Sequence, residues 1–253
     1  MSITFATFAA YGAPALNDDV IEQLVFHTSS IRKSHGREAS LTLLTDEVLA
    51  DARALQLFDV VKRRPVIGAT LLLDRARHYR AFLEDHNWAS HIAFLDFDIL
   101  VMKDIHPVFN GYADVYLTVR SWSKNMPFNG GVVFLQKDKP DLCRGFYNDV
   151  LSVYEHLEPE HLGWYGDQLS LMAAATTGGS QLSPDLIQTR SGALVGIVPR
   201  NDYNHTPYDV DVGKDVPSAL DATDIAFFKE RPVLHFKGPR KHLMTIMAKA
   251  AGL

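Results

Sequence analysis

The chain has 253 residues, of which 47% are hydrophobic and 22% are charged, as in an ordinary soluble globular protein. This length suits one large α/β domain or two small ones, and a net charge of −5 excludes bulk attraction to nucleic acid. The single cysteine, Cys143, excludes an intrachain disulfide and fits a reducing compartment. Because neither a signal peptide nor an apolar run of membrane-spanning length is visible, we expect a cytoplasmic protein, with peripheral membrane association left open.

The first third of the chain alternates between predicted strands and helices. We predict strands over 3–10, 40–45 and 58–62, a helix whose N-cap is Asn17 or Asp18, and a short helix over 46–55. This alternation is typical of a parallel sheet with crossover helices. A further helix over 70–85 carries Arg80 at the edge of its apolar face. Arg80 could therefore reach over the sheet, or its stem could lie along the core with the charge in solvent.

An apolar run over 91–101 contains two acids, Asp96 and Asp98. Such a run predicts a buried strand that ends near Leu95, so that both acids emerge at its carboxyl end, where α/β sheets bind ligands. Two carboxylates there could bind Mg²⁺ or Mn²⁺ and leave positions for phosphate oxygens. The alternative is a turn whose acids face solvent.

Small residues precede a second apolar run. We predict a strand over 114–119, irregular structure over 122–128, and a strand at 132–135 that follows three residues of small or polar character. Asn129, Gly130 and Gly131 would either allow another group to approach the backbone or simply form a turn. A helix from Lys139 or Pro140 to about 156 follows.

The last third of the chain places polar residues beside two predicted elements. Asp167 and Gln168 lie in the first turn of a helix, where an acid can serve in capping or in catalysis. We predict a loop over 176–192, a strand over 194–198 and irregular structure over 201–222. A strand over 232–236 then delivers His235, Gly238 and Lys241, and amides near the glycine could hold a phosphate together with the lysine. The rest, 242–253, reads as a short helix.

These segments together resemble the retaining nucleotide-sugar glycosyltransferases that include glycogenin and the bacterial lipopolysaccharide galactosyltransferases. The resemblance rests on the segments 94–101, 128–132 and 166–168 and on the spacing His235-x-x-Gly238-x-x-Lys241, all in the family's order. This chain departs from the family at His242-Leu243, at Trp164-Tyr165 and at Phe97, and these departures bear on the sugar and acceptor more than on the nucleotide.

The resemblance implies a GT-A type α/β/α sandwich with a mostly parallel, Rossmann-like sheet in a single domain over 1–253. It further implies Mn²⁺ (or Mg²⁺), a UDP-sugar donor, a saccharide, glycolipid or small-molecule acceptor, and retention of anomeric configuration. The metal ligands would be Asp96, Asp98 and His235, and the residues at the sugar would be Asp167 and Gln168. The donor contacts would be Thr7, Tyr11, Arg80, Asp96, Phe97, Asn129, Gly130, Gly238 and Lys241.

Two other functions fit parts of the pattern. The first is a haloacid dehalogenase-like phosphatase, whose acids are similar to Asp96-Phe97-Asp98 and Gly166-Asp167. That family, however, has its first acid after the first core strand, and it prefers Thr or Val at the position of Leu100. A non-catalytic nucleotide-sugar binding protein could keep the same metal site, because a fold does not fix a function.

Overall fold

The computed structural model describes residues 2–67, 70–119, 128–163, 165–208 and 216–253. Its strands are β1 (Ile3–Phe8), β2 (Ser40–Thr45), β3 (Val60–Arg63), β4 (His91–Leu95), β5 (Ile99–Val101), β6 (Val115–Val119), β7 (Phe128–Leu135), β8 (Ser180–Ser183), β9 (Leu186–Gln188), β10 (Leu194–Val198) and β11 (Val233–His235). Its helices are α1 (Asp18–His35), α2 (Ala52–Leu55), α3 (Leu71–Asp85), α4 (Pro140–Glu155), α5 (Pro159–Leu162), α6 (Gly166–Thr176), α7 (Arg200–Tyr203), α8 (Ala222–Lys229) and α9 (Lys241–Ala250).

Nine strands in the described ranges form one sheet in the order β3-β2-β1-β4-β7-β6-β10-β9-β8. Only β7 and β9 run against the other seven, so most strands share one direction. The predicted α/β fold with a mostly parallel sheet is therefore confirmed. In a second, two-stranded sheet, β11 pairs antiparallel with β5. This sheet lies just beyond the end of β4 in the sequence.

Apolar side chains cover both faces of the large sheet. On one face, Phe5 packs with Leu24 and Ile31 of α1. On the other, Phe94 packs with side chains of α3, α4 and α6. Every residue of β4 is buried, which explains why its sequence is an almost unbroken apolar run. The sheet is therefore a layer between two layers of helices. The polar residues that follow β4 lie where that strand leaves the sheet, at its carboxyl end.

Several predicted boundaries agree with the structure. The side chain of Asn17 accepts a hydrogen bond from the Val20 amide and caps α1, and β2 has the predicted bounds. Pro140, one of the two predicted starts, begins α4, and the fixed φ of proline suits that position. The helix predicted over 70–85 is α3, with Thr70 at its N-cap.

Other predictions are wrong. The helix predicted from Asp46 begins only at Ala52. The Asp46 carboxylate accepts hydrogen bonds from the amides of Tyr11 and Gly12, after β1, and from those of Val48 and Leu49, and these bonds fix a turn instead. The loop predicted over 176–192 contains the hairpin β8–β9. Of the two alternatives for 129–131, the simple turn is wrong, because these residues are part of β7 and other side chains approach Gly130 and Gly131 closely. Helix α8 was not predicted; a capping box at Asp221 and Asp224 begins it.

Part of the predicted irregular structure, 122–127 and 209–215, lies outside the described residues. Across the ranges that are described, no helix combines the length and apolar character needed to cross a membrane.

Candidate active site

Three predicted metal ligands converge where β4 ends. Asp96 follows β4 directly, and its amide donates to the carbonyl of Gly131 at 2.9 Å. Asp98 precedes β5, and the pairing of β11 with β5 places His235 opposite Ile99. The His235 Nε2 atom lies 3.1 Å from Asp98 Oδ1 and 3.7 Å from Asp96 Oδ2. The small second sheet thus brings residues 137 positions apart in the sequence (98 and 235) to one point.

Asn204 fixes the orientation of the His235 ring. Its amide nitrogen donates to Thr118 Oγ1 at 2.7 Å and to Asn129 Oδ1 at 3.0 Å, so its oxygen is the atom that faces His235 Nδ1 at 2.9 Å. Nδ1 therefore carries the proton and donates to Asn204, and Nε2 presents its lone pair to the two acids. Metal-bound histidines are commonly oriented by such a hydrogen bond from the other ring nitrogen.

The chemistry of this group fits a divalent cation. Burial lowers the pKa of His235, which is 3% exposed, and so favours the neutral imidazole that binds metals. One ligand atom from each of Asp96, Asp98 and His235 lies within 4.8 Å of the others. Three acceptors facing one another repel unless a positive charge lies between them. Two carboxylates and one imidazole suit Mn²⁺ as well as Mg²⁺.

Arg75 is the basic residue closest to the acids, and sequence reasoning missed it. Its guanidinium bonds Asp96 through Nη1 and Asp167 Oδ2 at 2.6 Å through Nη2. Burial would lower the pKa of Arg75, but the attraction of both carboxylates outweighs it and raises that pKa. One signal in the sequence could have identified it. Arg75 lies three residues after Leu72 and four before Tyr79, and this spacing places it on the apolar face of α3.

Arg80, predicted to contact the donor, lies elsewhere. Its Nε donates to Asn148 at 2.9 Å and its guanidinium pairs with Glu84, both on the outer side of α3 and α4. The prediction for Arg80 is not met in this structure, because Asn148 and Glu84 bind the side chain outside the site. Arg75 occupies the position beside the acids.

Thr7, predicted to contact the donor, is also turned away from the site. The side chain is 1% exposed and its Oγ1 lies 2.8 Å from His27 Nε2, inside the layer between β1 and α1. Tyr11, three residues after β1 ends, is 44% exposed and lies in the site instead. The pKa of Tyr11 is raised to about 12 by burial and by the charges of Asp98 and Asp96.

A pocket of about 150 Å³ is lined in part by two of the predicted metal ligands, Asp96 and Asp98. Tyr11 and Phe97 form part of its wall, with their rings 6.3 Å apart edge to face. Lys241, the first residue of α9, lies over the Phe97 ring at 5.0 Å, with its Nζ 4.0 Å from Asp98 Oδ2. Gly238 forms the turn before α9 with a φ of +56°, a conformation that favours glycine. The pocket therefore combines aromatic surface, two basic side chains (Lys241 and Arg75) and two acids.

Asp167 and Gln168 lie at the N-terminus of α6, as predicted, facing β7. Burial, more than the charge of Asp96, raises the pKa of Asp167, although Arg75 opposes this shift. Gln168 is 8% exposed, and its Oε1 has no hydrogen-bond partner among the described residues. A Cβ at Gly130 would lie 2.4 Å from Asp167 Oδ2, so only glycine allows this carboxylate to sit against β7.

Comparison with solved structures identifies similar folds. The galactosyltransferase LgtC in complex with donor and acceptor sugar analogues aligns with a TM-score of 0.59 and 15% identity, over 100% of this chain and 95% of that chain. The glycosyltransferase GlyE of Streptococcus pneumoniae aligns with a TM-score of 0.58 and 14% identity; this chain spans 60% of its length. A glycosyltransferase involved in glycosylation of the major capsid of PBCV-1 gives a TM-score of 0.56 and 11% identity, over 98% of this chain and 99% of that chain.

The chain has a GT-A glycosyltransferase fold. No protein-family model and no curated protein matches the sequence. The resemblance to lipopolysaccharide galactosyltransferases predicted from the sequence is thus confirmed at the level of the fold. The roles of the individual site residues stay a prediction.

Proposed function

We propose that the protein transfers a hexose from a UDP-sugar to an acceptor hydroxyl, with a divalent metal bound by Asp96, Asp98 and His235 and with retention of anomeric configuration. The observation that supports this best is the convergence of these three ligands beside Lys241, in a pocket with aromatic walls. The fold shared with glycosyltransferases agrees with it.

Each part of the pocket suits one part of a UDP-sugar. Tyr11 and Phe97 offer aromatic surface for the nucleobase, and Lys241 offers a cation to the diphosphate. When bound, the metal would act as a Lewis acid on the departing diphosphate. Asn129 and Gly130 would lie along the sugar, since β7 forms the floor between the acids and α6.

Asp167 and Gln168 are placed to act on the sugar. During transfer the sugar ring gains oxocarbenium-like positive charge. The Gln168 carbonyl oxygen, which is buried without a partner, could stabilise that charge at short range. Asp167, held by Arg75, would orient the sugar hydroxyls. The acceptor would be a saccharide, a glycolipid or a small molecule that carries a hydroxyl.

Isothermal titration of the metal-free protein with UDP tests the metal and nucleotide assignment. We expect UDP to bind in Mn²⁺ and to lose most of its affinity in EDTA or in Asp98→Asn, because the lysine alone cannot offset the charge of the diphosphate near two acids. Equal affinity with and without metal would contradict the proposal. Release of UDP from a UDP-sugar separates an enzyme from a binding protein, which would bind UDP without turnover.

A further inference from the structure

A second cluster of metal-ligating side chains lies at the other end of β5. His35 is the last residue of α1, and Asp104 and His106 follow β5 in the next turn. One ligand atom from each lies within 4.8 Å of the others. The candidate active site precedes β5, whereas these residues follow it, so the proposed transfer reaction uses none of them.

The His35 ring is held in one tautomer. Ser34 Oγ donates its only hydrogen to the carbonyl of Ser30 at 2.8 Å, so at 2.8 Å from His35 Nδ1 it can only accept. His35 Nδ1 therefore carries the proton. The amide of Ile105 donates to Nε2 at 3.1 Å, which independently identifies Nε2 as the bare nitrogen. The side chain is 2% exposed, so this orientation is fixed by the packing.

The bare nitrogen faces a carboxylate. Asp104 Oδ1 lies 3.3 Å from His35 Nε2, and neither atom has a proton to donate to the other. The same oxygen lies 2.5 Å from His106 Nδ1, and the two imidazole rings are 5.4 Å apart. In a tetrahedral zinc site, bonds of about 2.0–2.1 Å place neighbouring ligand atoms roughly 3.3 Å apart. The spacing of Asp104 and His35 matches that value.

We propose that His35, Asp104 and His106 bind one divalent metal of the zinc class, with water as the remaining ligand. Two imidazoles and one carboxylate suit zinc, cobalt or nickel, in contrast to the more acidic group at the candidate active site. Asp104 is 57% exposed, so a metal can reach the cluster from solvent. Ser34 supplies the outer hydrogen bond that orients a metal-bound histidine.

Metal binding would change two contacts. The Ile105 amide would lose its bond to Nε2, and His106 would exchange its hydrogen bond with Asp104 for coordination. Both changes lie in one turn. The bound metal would then connect the end of α1 to the turn after β5. The acids of the candidate active site lie at the other end of β5. The proposed role is therefore to stabilise the fold, by linkage between metal binding and folding.

Zinc titration of the full chain tests this inference independently of the proposed transferase activity. The background is Asp96→Asn with Asp98→Asn, so that zinc at the first site is removed. We expect this protein to bind one zinc per chain and to show the visible absorption of four-coordinate cobalt after cobalt loading. Adding His106→Gln should abolish both signals, whereas His161→Gln, an exposed histidine on α5, should leave both unchanged.

Two results would overturn the inference. One is a background protein that binds no zinc in the titration, which would leave His106 and Asp104 as a hydrogen-bonded pair only. The other is unchanged zinc stoichiometry after His106→Gln. Because His106 is on the surface turn, the melting temperature of the metal-free variant should stay that of the background, and this shows whether a lost signal reflects misfolding.

Discussion

Single side chains at the candidate active site are oriented by hydrogen bonds and ion pairs with neighbouring residues. Asn204 directs the lone pair of His235 toward the acids, and Arg75 holds both Asp96 and Asp167. Lys241 is different, because it is 41% exposed and its nearest described partners are one carboxylate at 4.0 Å and one ring. Removing the Lys241 side chain should therefore change ligand affinity with little change in the stability of the fold.

We expect Lys241→Ala to weaken UDP binding by roughly tenfold, since a hydrogen bond to a charged group contributes about 1.5 kcal/mol. The melting temperature should change little, because the side chain packs against a single ring at the surface. Titration calorimetry and a thermal melt measure the two effects. Lys249→Ala, an exposed lysine of the same helix, is the matched control and should alter neither.

The outcome for Lys241 bears on the phosphate role alone. Unchanged UDP affinity would show that this lysine does not contact the diphosphate. A large drop in melting temperature would show that the side chain stabilises the turn at Gly238 instead. Either result would leave the metal assignment standing, because that rests on three other residues.

Residue positions were predictable where the chain itself fixes them. Asp96 and Asp98 follow a buried strand, and an apolar run has to end before two charges. Arg80 shows the limit: helical periodicity places it at the edge of a face, but its partner Asn148 is 68 residues away and decides which way it turns. Arg75 was missed because its two partners come from the turn after β4 and from α6, which periodicity in α3 does not reveal.

At the scale of elements, the strand β7 forms the floor of the site because two glycines leave room above it. A Cβ at Gly131 would lie 2.4 Å from His235 Cε1 and 2.5 Å from Asp96 Oδ2. Both neighbours are predicted metal ligands, and both are fixed, one by Asn204 and the other by Arg75. They cannot withdraw without losing these bonds.

We therefore expect Gly131→Ala to reduce Mn²⁺ affinity by roughly ten- to a hundredfold, since overpacking of this kind costs about 1–3 kcal/mol. Isothermal titration with Mn²⁺ measures it. Gly163→Ala is the control, because a Cβ there meets nothing within 4 Å and its φ is −75°. Unchanged Mn²⁺ affinity in Gly131→Ala would mean that the metal does not bind between Asp96 and His235.

Element prediction failed where side-chain patterns carry little information. All residues of β8 are exposed, so no alternation of apolar and polar residues marks a strand there. In β7 the sequence Phe-Asn-Gly-Gly looks like a turn, but β6 pairs with Phe128 as well as with 133–135, with a register shift between them, and β4 pairs with 132–135, so the strand continues through it. In both cases the neighbouring strand, rather than the local sequence, decides the structure.

At the scale of the whole molecule, the site depends on contacts between distant parts of the chain. The reversed strand β7 lies between β4 and β6, and the pair β5–β11 brings the end of the chain back to the acids. The sequence predicted which segments meet, through their resemblance to a known order of motifs. It did not predict the strand order, because pairing partners far apart in sequence leave no local pattern.

The stereochemical outcome follows from which groups surround the sugar. An inverting transferase needs a general base on the acceptor side to take the proton of the attacking hydroxyl. Among the described residues lining the pocket and the small cavity that shares Arg75 with it, Asp167 is the one carboxylate not assigned to the metal. Its Oδ2 is bound to Arg75 at 2.6 Å, and the neighbouring Gln168 cannot act as a base. Among these lining residues no free carboxylate is left to act as a base for attack from the opposite face.

We expect the reaction to proceed with retention. The bond from the anomeric carbon to the phosphate oxygen would break as the bond to the acceptor oxygen forms on the same face, and the departing phosphate would take the acceptor proton. A UDP-sugar with an α linkage should then give an α-linked product. Proton NMR of the anomeric signal, with any acceptor that the protein glycosylates, measures the linkage. A β-linked product would mean that Asp167 is released from Arg75 to act as a base, and it would contradict both that ion pair's role and the one given to Gln168.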